Sequence, residues 1–169
     1  SLEQKKRAIN AVMDAKIKPL GALGQLESLA AKLALLQSTE VVVDKIEINR
    51  PTLLLFAADH GIAQHGVSIA PSDVTTLMVN QFLSGGAAIN SFVNIHNIDL
   101  HVIDAGMKTP IPKECRDVEN YFDQSIANGT QDFTQTTAMT EAQLNLALTY
   151  GEQAFDRAIE QGSNLILLG

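Results

Sequence analysis

Apolar residues along the chain recur at two spacings, and the switches between them lay out the secondary structure. Leu2, Ile9, Val12, Met13 and Ile17 fall at helical intervals, which predicts a helix near residues 3–16. Lys18-Pro19-Leu20-Gly21-Ala22-Leu23-Gly24 breaks it with one Pro and two Gly. Leu23, Leu26, Ala30, Leu33 and Leu36 then form the stripe of a second helix, so the pair reads as an antiparallel hairpin with an apolar face. After a charged linker over 41–49, Thr52 to Ala58 is an unbroken apolar run halted by Asp59-His60-Gly61. A run that short and that continuous reads as a strand buried on both faces.

The two periodicities then alternate. Pro71-Ser72-Asp73 opens a helix carrying Val74, Leu77, Met78 and Phe82; Ser84-Gly85-Gly86 interrupts it, and 87–94 resume helical character. Asp99 to Gly106 is a second strand ending in a turn, and 107–137 is a long polar connection. Thr140-Glu141-Ala142-Gln143 is a capping-box pattern that starts a helix ending near Gly162. Asn164 to Gly169 is the third strand. Strands alternating with helices predict an α/β fold with a parallel sheet. Ligands of such sheets bind outside the carboxyl ends of the strands, which here are Asp59-His60-Gly61, Asp104-Ala105-Gly106 and Gly169.

Composition narrows the function classes. Hydrophobic residues make up 46% of the chain and charged residues 18%, enough apolar material for a core and too little charge for a disordered chain. A formal charge of −7 disfavours nucleic acid as a partner, because it repels phosphate backbones at long range. It leaves room for a small phosphorylated substrate held by backbone amides. Cys115 is the single cysteine, so no internal disulfide forms, and a reducing compartment fits. The longest apolar runs are strand-sized, and the charged N-terminus carries no targeting pattern, so the expected setting is cytoplasmic with no membrane partner.

Several motifs carry two meanings. Asp59 and His60 at a strand tip could orient a substrate, ligate a metal or relay a proton; equally, Asp59 could cap the following turn and His60 bond a loop carbonyl. His60 and His65, like His96 and His101, are spaced five apart, which does not match the helical i, i+4 spacing of His-Glu-x-x-His zinc sites, and no metal is expected. Ser84-Gly85-Gly86 could cradle a phosphate, but it follows a helix where nucleotide-binding glycines follow a strand, so close helix packing ranks ahead. Met78 and Phe82 at i, i+4 could line a pocket or serve the core. Cys115 has no base partner in sequence.

Taken together, the motifs resemble the nicotinate-nucleotide:dimethylbenzimidazole phosphoribosyltransferase family. Lys18-Pro19-Leu20-Gly21-Ala22-Leu23-Gly24-Gln25-Leu26-Glu27 is similar to its Lys-Pro-Pro-Gly-Ser-Leu-Gly-Arg-Leu-Glu signature. Phe56 to Gly61, Gly66-Val67-Ser68, Pro71, Val74-Thr75, Gly85 to Asn90 and His101 to Gly106 follow in family order. The resemblance implies a Rossmann-like parallel sheet flanked by helices over 41–169. It also implies that the hairpin of 1–40 belongs to a small second domain completed by C-terminal helices; without those partners its apolar stripe is free to pair with a second copy, and a homodimer is expected. It further implies transfer of phosphoribose from nicotinate mononucleotide to 5,6-dimethylbenzimidazole or a related base, with no cofactor.

Substrate contacts are then expected from Asp59, His60, Gly61, Ala70, Met78, Gly85, Gly86, Gly106 and Gly169. Ala70 and Met78 depart from family positions where some members carry Ser and Gln against the base. The family's general base, a Glu, and its Gly-rich phosphate loop fall beyond Gly169. The 169-residue form is therefore expected to be an inactive fragment, and Ser1 to mark a processed or engineered end. The competing expectations are a non-catalytic module or subunit that holds an aromatic base and, more distantly, a metal-dependent hydrolase built on Asp59 and His60.

Overall fold

The computed structural model describes all residues 1–169, in two compact units, 1–48 and 49–169. The first unit is a helix pair, α1 (Leu2–Asp14) and α2 (Gln25–Gln37). Ser1 and Gln4 close a capping box at the start of α1, which satisfies amides that the first turn leaves without partners. Of this unit's apolar residues only Ile9 and Ala34 are buried, while Leu23, Leu26 and Leu29 stay exposed, so the apolar stripe is largely uncovered within it. Lys18 ties the connecting turn to α2 through an ion pair with Glu27 at 2.8 Å. That pair and the Leu23 amide hold the Glu27 carboxyl below its ordinary range.

The units divide after Ile48, later than the boundary expected after residue 40, and the cause is local. The Gln37 side chain donates to Glu47 O at 2.7 Å and accepts from Glu47 N at 3.0 Å, and Val43 N donates to Ser38 Oγ. These bonds fold 41–48 back on the end of α2.

The second unit is a four-stranded parallel sheet flanked by helices. Its strands are β1 (Thr52–Ala58), β2 (Asp99–Gly106), β3 (Tyr121–Asp123) and β4 (Ile166–Leu168), in the order β3-β2-β1-β4. The third strand in chain order was not anticipated: Tyr121–Asp123 lies within what reads as a polar connection. Three residues are too few to show an alternation, and the strand forms because Tyr121 buries against the core while the backbone pairs with Val102 to Asp104.

The helices are α3 (Asp73–Ser84), α4 (Ala88–His96) and α5 (Glu141–Glu160). Period-two alternation splits the sheet's side chains between two cores. Leu55, Ala57, Leu100 and Val102 pack with Val79 of α3 and Val93 of α4. Leu54 and Ile103 face the other way, against Ala154 and Ala158 of α5. Those two alanines are fully buried, and their small side chains let α5 lie close to the sheet. Fully burying a side chain such as Leu54 contributes about 1.5–3 kcal/mol. The capping box expected for α5 is present: Thr140 Oγ1 accepts from Gln143 N, and Gln143 Oε1 accepts from Thr140 N.

One irregularity shapes the strand tips. The register of β1 against β2 slips between Ala57 and Ala58, so Ala58 pairs with Gly106. Asp59 N then donates to Gly106 O at 3.0 Å, which brings the two strand ends side by side.

Candidate functional site

Two depressions meet at the carboxyl ends of β1 and β2. The larger, about 570 Å³, is mostly apolar: Phe56, Ile62, Val67, Ala70, Met78 and Phe82 line it with Asp59 and His60 at its edge. The other, about 420 Å³, is polar and includes Gly61, Lys108, Thr130 and Asp132; Asp59 and His60 belong to both. An apolar cavity beside a polar recess, at strand tips, suits an aromatic heterocycle whose reaction partner is polar.

Asp59 is 6% exposed, and both its oxygens are committed. Oδ1 accepts from Thr75 Oγ1 at 2.7 Å and Oδ2 from Lys108 N at 2.8 Å, so the carboxylate straps α3 and the chain leaving β2 to the end of β1. It caps the loop after β2, where a cap on its own turn was the alternative. His60 is exposed at the cavity edge, and its imidazole makes no hydrogen bond within the chain. That leaves it free to meet a ligand.

Gly61 has a structural reason to be glycine. A Cβ there would stand 2.5 Å from Asp132 N and 2.6 Å from Gln131 C, because the turn at 61–65 lies flush on the backbone of 130–132. Gly61 N donates to Thr130 O at 3.1 Å, and His60 bridges Thr130. Gly106 likewise admits the Ala127 carbonyl, 2.8 Å from where a Cβ would sit, at a φ of 143° that favours glycine.

Asp132 was not singled out in the sequence. Its Oδ2 accepts from Gln64 Nε2 at 2.8 Å and from His65 Nε2 at 2.6 Å, and its Oδ1 from Thr134 N and Thr134 Oγ1. The His65 bond, then the Thr134 amide and hydroxyl, hold this carboxyl well below the usual carboxylate range. The available signal was Asp132-Phe133-Thr134, a pattern for an aspartate that bonds the amide two residues on.

The structure brings together Asp59, His60, Ala70 and Met78 around the apolar cavity, with Gly61 in the adjoining recess and Gly106 beside Asp59 in a narrow cleft. It does not bring the remaining glycines there. Gly85 and Gly86 follow the last turn of α3; the cavity reaches Phe82 on that turn, but neither glycine lines it. Gly85 is left-handed and ends the helix, Gly86 N donates to Gln81 O, and Asn90 Nδ2 donates to Phe82 O. Helix termination and packing therefore account for this motif. Gly85 lines a separate groove of about 460 Å³ near the strand starts, with Arg50 and Asn120. Gly169 pairs with β1 at Leu54 and Phe56, short of the Asp59 tip.

Other titratable groups are absorbed into the fold. Asp104 accepts from Gly106 N and Met107 N at 2.9 Å and from Tyr121 OH at 3.3 Å. Burial and the Asp104 carboxylate push the Tyr121 phenol far above its ordinary value. His101 is buried against Phe122, with ring centroids 5.0 Å apart, and Arg157 lies 3.9 Å over that same Phe122 ring. Burial, then the Arg157 charge, lower the His101 pKa. Cys115 is a half-buried free thiol packed against the core. No three His, Cys, Asp or Glu side chains converge to hold a metal ion, and no helix is long and apolar enough to cross a membrane.

Comparison with known proteins bears on the family and the fold. A family model described as "Phosphoribosyltransferase" matches residues 2–169. The nicotinate-nucleotide–dimethylbenzimidazole phosphoribosyltransferase of Vibrio campbellii is 49% identical over 166 residues, covering 95% of this chain and 48% of the relative. That of Photobacterium profundum is 51% identical over 157 residues, covering 93% and 44%. The crystal structure of CobT from Thermus thermophilus superposes with a TM-score of 0.83 at 36% identity, covering 98% of this chain and 47% of that one. The chain spans about half the length of the curated relatives it matches. With the sheet, the strand-tip motifs and nearly every residue matched, the chain belongs to the nicotinate-nucleotide:dimethylbenzimidazole phosphoribosyltransferase family.

Proposed function

We propose that this chain supplies the wall that receives the aromatic base in transfer of phosphoribose from nicotinate mononucleotide to 5,6-dimethylbenzimidazole or a related base, giving α-ribazole phosphate and nicotinate. The observation that carries the reading is the apolar cavity of about 570 Å³ at the strand tips, with His60 unpaired at its edge. Relatives whose names state this activity support it.

The chemistry asks for few groups. Nicotinate leaves from a cationic pyridinium nitrogen and becomes neutral there, so its departure needs no acid. The incoming ring nitrogen attacks the anomeric carbon from the opposite face, and a base removes the proton on the other benzimidazole nitrogen. The single carboxylate lining the apolar cavity, Asp59, has both oxygens occupied and is a poor candidate for that base. We therefore assign these residues to binding and orientation. By themselves the 169 residues bind the base without transforming it. The same reading takes the protein as cytoplasmic and as a homodimer; light scattering tests the dimer, and cell fractionation the location.

Incubation with nicotinate mononucleotide and 5,6-dimethylbenzimidazole, with nicotinate release followed by chromatography, tests the assignment alongside equilibrium dialysis of the base. Binding without release is the expected result. Release would show that a general base is present among these residues, and failure to bind would remove the cavity from the reading.

A further inference from the structure

We infer that Asp132 is a positioning residue of the base cavity: a single carboxylate oxygen fixes the segment that forms the cavity's outer wall. The inference rests on the base-binding reading above. Residues 60–70 run from the tip of β1 to the approach of α3, and Ile62, Ala63, Val67, Ser68 and Ala70 within them line the apolar cavity. A wall of this kind needs its backbone groups anchored, because short loops otherwise keep many conformations.

Here the anchoring is concentrated. Gly61 pairs with Thr130 at the start of the segment. Beyond that, the bonds Ala63 N to His60 O, Gly66 N to Ala63 O and Ala70 N to Ser68 Oγ are local to the segment. The hydrogen bonds that tie the rest of it to a distant part of the chain both end on Oδ2 of Asp132, from Gln64 and His65. Oδ1 is held by Thr134, which aims the carboxylate. Ionised acceptors form the stronger class of hydrogen bond, so one side chain suffices to hold the turn. Gln64 and His65 point to Asp132 while their neighbours Ile62, Ala63 and Val67 face the cavity, so the turn transmits the anchor to the wall.

The test compares wild type, Asp132→Ala, the double variant Gln64→Ala/His65→Ala, and the three changes combined, all in the full chain. Two quantities are read: affinity for 5,6-dimethylbenzimidazole by equilibrium dialysis, and amide hydrogen exchange without ligand. Asp132→Ala and the double variant should each weaken base binding about tenfold, the scale of losing hydrogen bonds to a charged group. The combined variant should lose no more than either, because both break the same contact. Exchange should accelerate over 62–67 and stay unchanged in β1 and β2. Wild-type affinity in Asp132→Ala, or faster exchange throughout the sheet, would overturn the inference. If wild type itself binds no base, the base-site reading fails; exchange confined to 62–67 would then show an anchor without a binding role, and the positioning assignment falls too.

Discussion

The carboxylate of Asp59 and the hydroxyl of Thr75 meet at 2.7 Å, and through them the end of β1 grips the first turn of α3. Both residues line the apolar cavity, so the bond fixes two of its walls relative to each other. Thr75→Val keeps the shape and removes the donor; it should cost about 1 kcal/mol. Asp59→Ala also strips the Lys108 amide of its acceptor, and should cost about 1–3 kcal/mol. Chemical denaturation of the two single variants and the double variant checks this, with the double expected to cost less than the sum.

Gly61→Ala drives a Cβ into the backbone of 130–132. Backbone cannot step aside as a flexible side chain would, so the turn at 61–65 must lift from the loop. A destabilisation of about 1–3 kcal/mol is expected, the range for an overpacked site. Thermal unfolding reads the loss, and base affinity should fall with it because Ile62 and Ala63 move with the turn.

The buried His101 makes stability depend on pH in one direction. Its folded pKa lies below the ordinary imidazole value near 6.5, so between those two values the unfolded chain binds a proton that the folded chain does not. Stability is therefore full above about 6.5 and declines as the pH falls toward the folded pKa. His101→Gln should flatten that decline, as read from denaturation midpoints across pH 5 to 8. A decline of unchanged slope would assign it to other groups.

Ala70 and Met78 give the cavity wall no hydrogen-bonding group at two positions. Ala70→Ser with Met78→Gln should shift the preference from dimethylbenzimidazole toward a hydroxylated benzimidazole by about tenfold, one net hydrogen bond's worth. Competition dialysis with both bases measures the ratio directly.

The long elements were legible because their patterns are redundant. The run Thr52 to Ala58 and the Thr140 capping box each carry several agreeing signals, and both hold in the structure. β3 was not legible, since three residues show no period and their pairing depends on β2. The candidate site was legible where it sits on strand tips, as at Asp59 and His60, and where motif order placed Ala70 and Met78 beside them. Motif order also grouped Gly85 and Gly86 with these residues; they follow the last turn of α3 and do not line the cavity, although Phe82 on that turn does. Asp132 was missed because its partners lie 67 and 68 residues away, a distance no local pattern spans.

That separation has a consequence for how the molecule comes into being. A ribosome releases the chain from its first residue onward, so Gln64 and His65 emerge well before the acceptor that will hold them. β1, likewise, waits for its partner β4 at residues 166–168. The recess therefore takes shape only after residue 132 clears the exit tunnel, and a nascent chain halted earlier would present those apolar side chains to chaperones without the strap that later gathers them.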